Sequence, residues 1–275
     1  MTTGASIICG HPEFGKEVQA AFPKLFEVLP RVGAALNDMT SRPVEKPEEY
    51  QRVILNLGLL AGVSMMELVT LAGHGFGQGA MKIARTLMET VINAEYLRQS
   101  PAELDAYLGW AWVEKNKDLA YLKENLKYLL PQLTKEDIET IEREFQKVRP
   151  LFADATTARI RSNWCRMNLA DRATKVGLAP IYGRLNRLSS GFIHGTIGGL
   201  TRHFVLEEDK DRIAIPPSLN YCDLALISGH QMMCFMVETL AKTFGWTPVH
   251  PIETLVADFK YAWNITEPAE AAEKK

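Results

Sequence analysis

No Cys-x-x-Cys pair occurs in this chain, and its four cysteines (Cys9, Cys165, Cys222, Cys234) share no paired spacing. That excludes zinc-ribbon and thioredoxin-type readings and predicts reduced thiols in a cytoplasmic protein. The first ten residues have neither the basic start nor the apolar stretch of an export signal. Long apolar runs are scarce. The two most apolar, near 53–66 and 224–237, are closed by Glu67 or interrupted by His230 and Gln231. A bilayer span needs roughly 20 apolar residues, so no membrane partner is expected. Charge of one sign is also missing: 31 basic against 33 acidic residues leave a net charge of −2, and the whole-molecule field favours no class of partner. There is no Gly-x-Ser-x-Gly elbow, no glycine loop ending in Gly-Lys-Ser/Thr and no Glu-x-x-His pair. His11, His203, His230 and His250 lack ligand spacing, so neither a metal nor a cofactor is expected.

What is present is helical periodicity over most of 275 residues. Residues 12–36 form a first helical region interrupted by Pro23 and Pro30, because an interior proline removes a donor and clashes with the previous turn. Pro47 opens a helix to about Leu71. The glycine-rich stretch 73–79 turns the chain into a second helix, 78–98. Ser100-Pro101-Ala102-Glu103 starts a third, reaching about Leu130. Thr134 with Asp137 starts a fourth. Residues 168–177, 179–198, 219–244 and 252–263 complete the set. Only His203–Leu206 and Arg212–Ile215 read as strands. The expected fold is all-α: one multi-helix bundle of seven to nine helices over residues 1–265, at most one short β-hairpin near 203–215, and a frayed charged tail at 266–275.

Charge is uneven along the chain. From Ala155 to Arg202 there are eight bases (Arg159, Arg161, Arg166, Arg172, Lys175, Arg184, Arg187, Arg202) and one acid, Asp171. Seven of the eight are arginine, whose planar fork suits bidentate contact with phosphate. Two readings stand. The segment is a basic face that binds a phosphate-bearing or protein ligand, or its arginines dock on acidic helices such as 136–144. Partners within these readings are RNA or a nucleotide, a protein, or a second copy of the chain.

Two polar rows interrupt otherwise apolar helices. In the 179–198 helix, Tyr182, Asn186, Ser190 and His194 follow an i, i+4 row, and Arg187 lies two turns before His194. Ile181, Leu185, Leu188 and Phe192 form the core stripe. Arg184 and Ser189 flank the row. A histidine exchanges a proton near neutral pH and an arginine neutralises a phosphate, so His194 and Arg187 are the candidate catalytic pair. In the 78–98 helix, Arg85, Glu89 and Asn93 form the second row with Tyr96 beside it. Arg85 and Glu89 are expected to pair inside the bundle, facing the 179–198 helix.

The stretch Ala84-Arg85 through Glu89 and Asn93 to Tyr96-Leu97 resembles a helical prokaryotic family known as domain of unknown function 5677. So does the stretch from Trp164 through Ala173 and Gly177 to Tyr182, Leu188-Ser189 and His194-Gly195. The resemblance implies an all-α fold and no settled activity. A looser likeness, resting on Arg187 and His194, is to HEPN domains, although Leu188 follows the arginine where those carry a polar residue. It implies metal-independent RNA cleavage, the ribose 2′-OH attacking the adjacent phosphate with His194 as acid or base.

Overall fold

The computed structural model describes residues 13–154, 157, 159–193, 204–207, 210–213 and 217–265. His194, Arg202, Cys9, His11, His203 and the expected tail at 266–275 lie outside the described residues.

The protein is all-α. Its described α-helices are α1 (Phe14–Ala21), α2 (Pro23–Ser41), α3 (Glu49–Gly73), α4 (Gly77–Gln99), α5 (Leu104–Asn125), α6 (Lys135–Phe152), α7 (Leu169–Lys175), α8 (Ala179–Ile193), α9 (Cys222–Phe244) and α10 (Ile252–Ala262). The first helical region divides at Phe22, because Pro23 takes an N-terminal position in α2, where its missing N–H is no loss. Pro30, by contrast, stays inside α2. Burial of Leu25, Val28, Val32, Ala35 and Leu36 along one face outweighs the single lost hydrogen bond.

Local chemistry sets the helix ends. Glu48 and Gln51 form a capping box, and α3 opens at Glu49, two residues past the expected Pro47. Thr134 and Asp137 form the box expected for α6. Thr134 Oγ1 accepts from the Asp137 N–H at 3.1 Å, and Asp137 Oδ2 accepts from the Thr134 N–H at 2.9 Å. The Ser100 start turns out differently. Its side chain makes no cap bond, and Pro101–Glu103 is a 3₁₀ turn ahead of α5. A second 3₁₀ turn, Lys127–Gln132, contains Pro131. The single β-hairpin among the described residues pairs β1 (Phe204–Glu207) with β2 (Lys210–Ile213), Glu207 opposite Lys210. The strands lie one residue later and two residues earlier than the expected 203–206 and 212–215.

The chain divides into two compact units, one made of residues 1–98 with 173–275, the other of residues 99–172. In the larger, α9 packs on α3 and α2, and α10 closes on α2 and α9. Gly229 of α9 allows the close approach to α3: an added Cβ there would lie 2.8 Å from Met65 Sδ and 2.9 Å from Leu68 Cδ1. The smaller unit packs α5 against α6. Its centre is Phe152, edge-on to Trp110 at 5.2 Å, with Tyr107 edge-on to Trp164 at 5.0 Å.

The glycine-rich stretch is the turn between α3 and α4. Gly75 has φ +75°, and its carbonyl accepts from the Ser218 N–H at 3.1 Å. Gly77, the first residue of α4, sits against the chain entering α9: an added Cβ would lie 2.2 Å from the Asn220 carbonyl oxygen and 2.6 Å from the Cys222 nitrogen. Both neighbours are backbone, which cannot swing aside. Gly77→Ala is therefore expected to destabilise by about 1–3 kcal/mol. Gly79→Ala, where the nearest contact is a Leu71 methyl at 3.6 Å, is expected to be neutral or to stabilise by up to about 1 kcal/mol through helix propensity. Urea midpoints of the two variants check the contrast.

Candidate functional site

Helix α8 begins after Gly177, whose φ of +79° ends α7. Leu185, Ser189 and Phe192 are buried, and Phe192 meets the Tyr221 ring edge-on at 4.9 Å. Ile181 and Leu188 are half-buried. Ser189 therefore shares the core stripe: it lies one turn past Leu185 and donates to the Leu185 carbonyl at 2.7 Å. Arg187, two residues earlier, points roughly to the opposite side of the helix.

Arg184 and Arg187 are exposed, while Tyr182, Asn186 and Ser190 are half-buried. The Arg187 Nε–H turns back to donate to the Gly183 carbonyl at 3.0 Å. Gly183 is open, with nothing within 4 Å of where a Cβ would stand. His194 lies outside the described residues.

On α4, Arg85 and Glu89 pair with each other. Arg85 Nε donates to Glu89 Oε1 at 3.0 Å, and the side chains are 24% and 38% exposed. This is an ion pair within one helix at half-exposed positions, worth about 0.3–0.5 kcal/mol. The larger energies of a stranded buried charge do not apply to it. Glu89 answers the arginine of its own helix, and Arg187 answers its own backbone. Asn93 is half-buried, and Tyr96 is buried beneath the Lys175 ammonium, 4.8 Å from the ring centre.

The eight bases of the basic segment do not fall in one compact unit. Arg159, Arg161, Arg166 and Arg172 belong to the smaller unit, and Lys175, Arg184 and Arg187 to the larger, while Arg202 lies outside the described residues. Within the smaller unit, Arg161 lies over the Phe152 ring at 4.8 Å and donates to the Trp164 carbonyl. Burial and the neighbouring Arg166 hold its pKa below the ordinary guanidinium value. Arg172 is buried, 4.6 Å from the centre of the Trp164 ring. These two arginines dock on aromatic faces, where cation–π attraction holds a partly desolvated charge. The carboxylates of α6 find nearer partners: Glu139 with Lys135, Glu142 with Lys123, Glu144 with Arg143 and Lys147.

One polar cluster is not anticipated by the sequence reading. Glu95 accepts from Arg98 through both oxygens, at 2.6 and 2.8 Å, and from the Thr239 hydroxyl at 3.1 Å. The pairing raises the Arg98 pKa. The cluster borders a cleft of about 250 Å³ together with Gly177, Glu238 and Lys242. Lys242 pairs with Glu238 at 2.7 Å, so base and carboxylate balance there and neither sign of ligand is favoured. The signal in sequence is faint, since an arginine in the last turn of a helix is also what the helix dipole alone favours. Neither Cys222 nor Cys234 offers a nucleophile: burial pushes Cys222 up to about 11 and Cys234 up to about 12, which removes the thiolate at neutral pH. Among the described residues, no group of three or more histidine, cysteine or acidic side chains is placed to hold a metal ion.

These features define a helical protein with an exposed arginine edge on α8 and no catalytic constellation among the described residues. A family model described as "Family of unknown function (DUF5677)" matches residues 52–212. The match covers more than half of the chain and takes in both polar rows, and the chain belongs to this family. No curated protein and no solved structure matches it.

Proposed function

We propose that this protein is a binding module that takes a phosphate-bearing ligand, a single-stranded RNA or a nucleotide, at the arginine edge of α8, without turning it over. One observation carries the reading: Arg184 and Arg187 stand exposed with no carboxylate partner among the described residues, whereas Arg85, Arg98 and Arg143 each hold one. Exposed guanidinium groups, of which Arg187 spends only its Nε–H on the Gly183 carbonyl, have N–H donors left that suit phosphate oxygens. The spacing of Arg187 and His194 supports a second reading, metal-independent cleavage of RNA with His194 moving the proton.

Fluorescence anisotropy with a labelled RNA oligonucleotide over a salt series tests both readings. Log K is expected to fall by about 0.7 per log unit of salt for each phosphate contacted. Arg187→Ala is expected to weaken binding and to flatten that slope by about one contact. His194→Ala is expected to leave binding intact. RNA cleavage by the wild type that His194→Ala abolishes would replace the module with an enzyme. Absence of salt-dependent binding to RNA or nucleotide overturns both readings.

A further inference from the structure

A helix that is apolar almost all round requires cover on every side. By length and composition alone, both α3 and α9 are long and apolar enough to cross a membrane, a test that the core helix of a soluble protein also passes. In α9, 67% of that stretch is buried inside the protein, against 39% in α3. Helix α9 is thus a core helix, and α3 is half uncovered. Its open side carries Leu59, Leu60, Val63 and Met66, which are 47–64% exposed. A groove of about 630 Å³ runs between α3 and α2 beside them. The α2 bank of this groove is uncharged: Gly33 and Asn37 are exposed there, and an added Cβ at Gly33 meets nothing within 4 Å.

We propose that a second copy of the chain covers this face, with α3 antiparallel to its counterpart about a twofold axis between Leu59 and Leu60. The argument is charge complementarity. Arg52 and Glu67 are exposed at the two ends of the apolar patch, and neither has an ion pair among the described residues. At 100° per residue they fall with the four apolar side chains inside an arc of about 120°. They are also equidistant from the Leu59–Leu60 midpoint. A twofold axis there brings Arg52 opposite the partner subunit's Glu67, and Glu67 opposite the partner subunit's Arg52. This is the self-complementarity an isologous interface requires. A parallel arrangement would set like charges against each other. In the antiparallel one, the apolar ridge of each α3 enters the α2–α3 groove of the other copy, where Gly33 leaves room.

A bilayer fits the same face poorly. Only positions 53–66 lie between the two charges, about 21 Å of helix, against a hydrocarbon layer of about 30 Å. Exposed Asn56 interrupts even that stretch.

Sedimentation velocity on the full chain, over a micromolar concentration series, tests the proposal. The expected species has twice the 30.8 kDa chain mass. Val63→Glu, a change at an exposed position, is expected to give a monomer with an unchanged far-UV spectrum. Arg52→Glu alone and Glu67→Arg alone are each expected to weaken the dimer several-fold. The double variant Arg52→Glu/Glu67→Arg is expected to restore it, which only the antiparallel pairing predicts. A monomeric wild type, or a double variant no better than the single ones, overturns the proposal. A monomer that floats with phosphatidylcholine vesicles and loses flotation on Val63→Glu would assign the face to a membrane instead.

Discussion

Phe152→Ala is expected to destabilise the smaller unit by about 3–5 kcal/mol, the range for removing a large aromatic from a core. Phe152 is 2% exposed. It carries the Trp110 ring edge-on at 5.2 Å and the Arg161 guanidinium at 4.8 Å. Alanine removes both contacts and leaves Arg161 partly desolvated, with the Trp164 carbonyl but no ring to face. The unit has few other buried large side chains, Leu104, Trp110, Val113, Leu119 and Trp164 being the main ones. It has little packing in reserve. Denaturant unfolding followed by tryptophan fluorescence reports the loss, because Trp110, Trp112 and Trp164 lie in this unit. Phe152→Leu, which retains most of the volume, is expected to lose clearly less. A loss below about 1 kcal/mol for the alanine variant would mean that Phe152 does not anchor this core.

Acid should weaken the larger unit through His230. This side chain is fully buried, and burial pushes its pKa down to about 4 from the ordinary 6.5. The Trp263 indole N–H donates to Nδ1 at 3.3 Å, and the Phe259 ring lies edge-on at 5.3 Å. The proton of the neutral ring is then on Nε2, which has no partner among the described residues. A second proton would have to sit on Nδ1, against the indole donor. The native state therefore refuses the proton that the unfolded chain accepts. With the folded pKa below the unfolded one, stability is full above about pH 6.5 and falls as the pH drops toward 4. The change amounts to about 3 kcal/mol across that window. His230→Gln keeps an acceptor for the indole and removes the titration. Its urea midpoint is expected to fall less between pH 6.5 and 4 than that of the wild type. Parallel pH profiles would show that His230 does not titrate on unfolding.

The helices were legible because periodicity and capping agree. Thr134 with Asp137, Pro23 and the glycine turn at 73–79 each mark an end by local chemistry that packing does not override. Ser100 was misleading for the opposite reason: its motif is complete in sequence, but the backbone there adopts φ −141°, ψ 63°, and the side chain makes no cap bond. Polarity alone also misplaces Ser189. A serine that returns its hydroxyl to the carbonyl one turn back satisfies itself and can sit in a core stripe. The pairing of Arg85 with Glu89 is written in their i, i+4 spacing. The Glu95–Thr239 bond joins residues 144 apart in the chain, and no local pattern announces it. The basic segment was visible as composition, yet composition does not reveal that its bases divide between two units or that two of them rest on tryptophan and phenylalanine rings.

The larger unit is interrupted by 74 residues of chain, leaving at Arg98 and resuming at Ala173. Close to those two points, Lys175 stands over the ring of Tyr96 at 4.8 Å. The chain thus goes out and comes back to nearly the same place. While residues 99–172 are folded, their own structure holds the two ends near each other. Once they unfold, the larger unit must close a flexible loop of that length, at an entropic cost of about 4 kcal/mol plus a constant by the logarithmic law. The two units are therefore linked thermodynamically through the backbone alone, whatever their surfaces do. The order of synthesis follows from the same topology. Helices α1 to α4 leave the ribosome well before α9, the helix that completes their core, and in that interval the smaller unit is the only part of the chain with all of its sequence present.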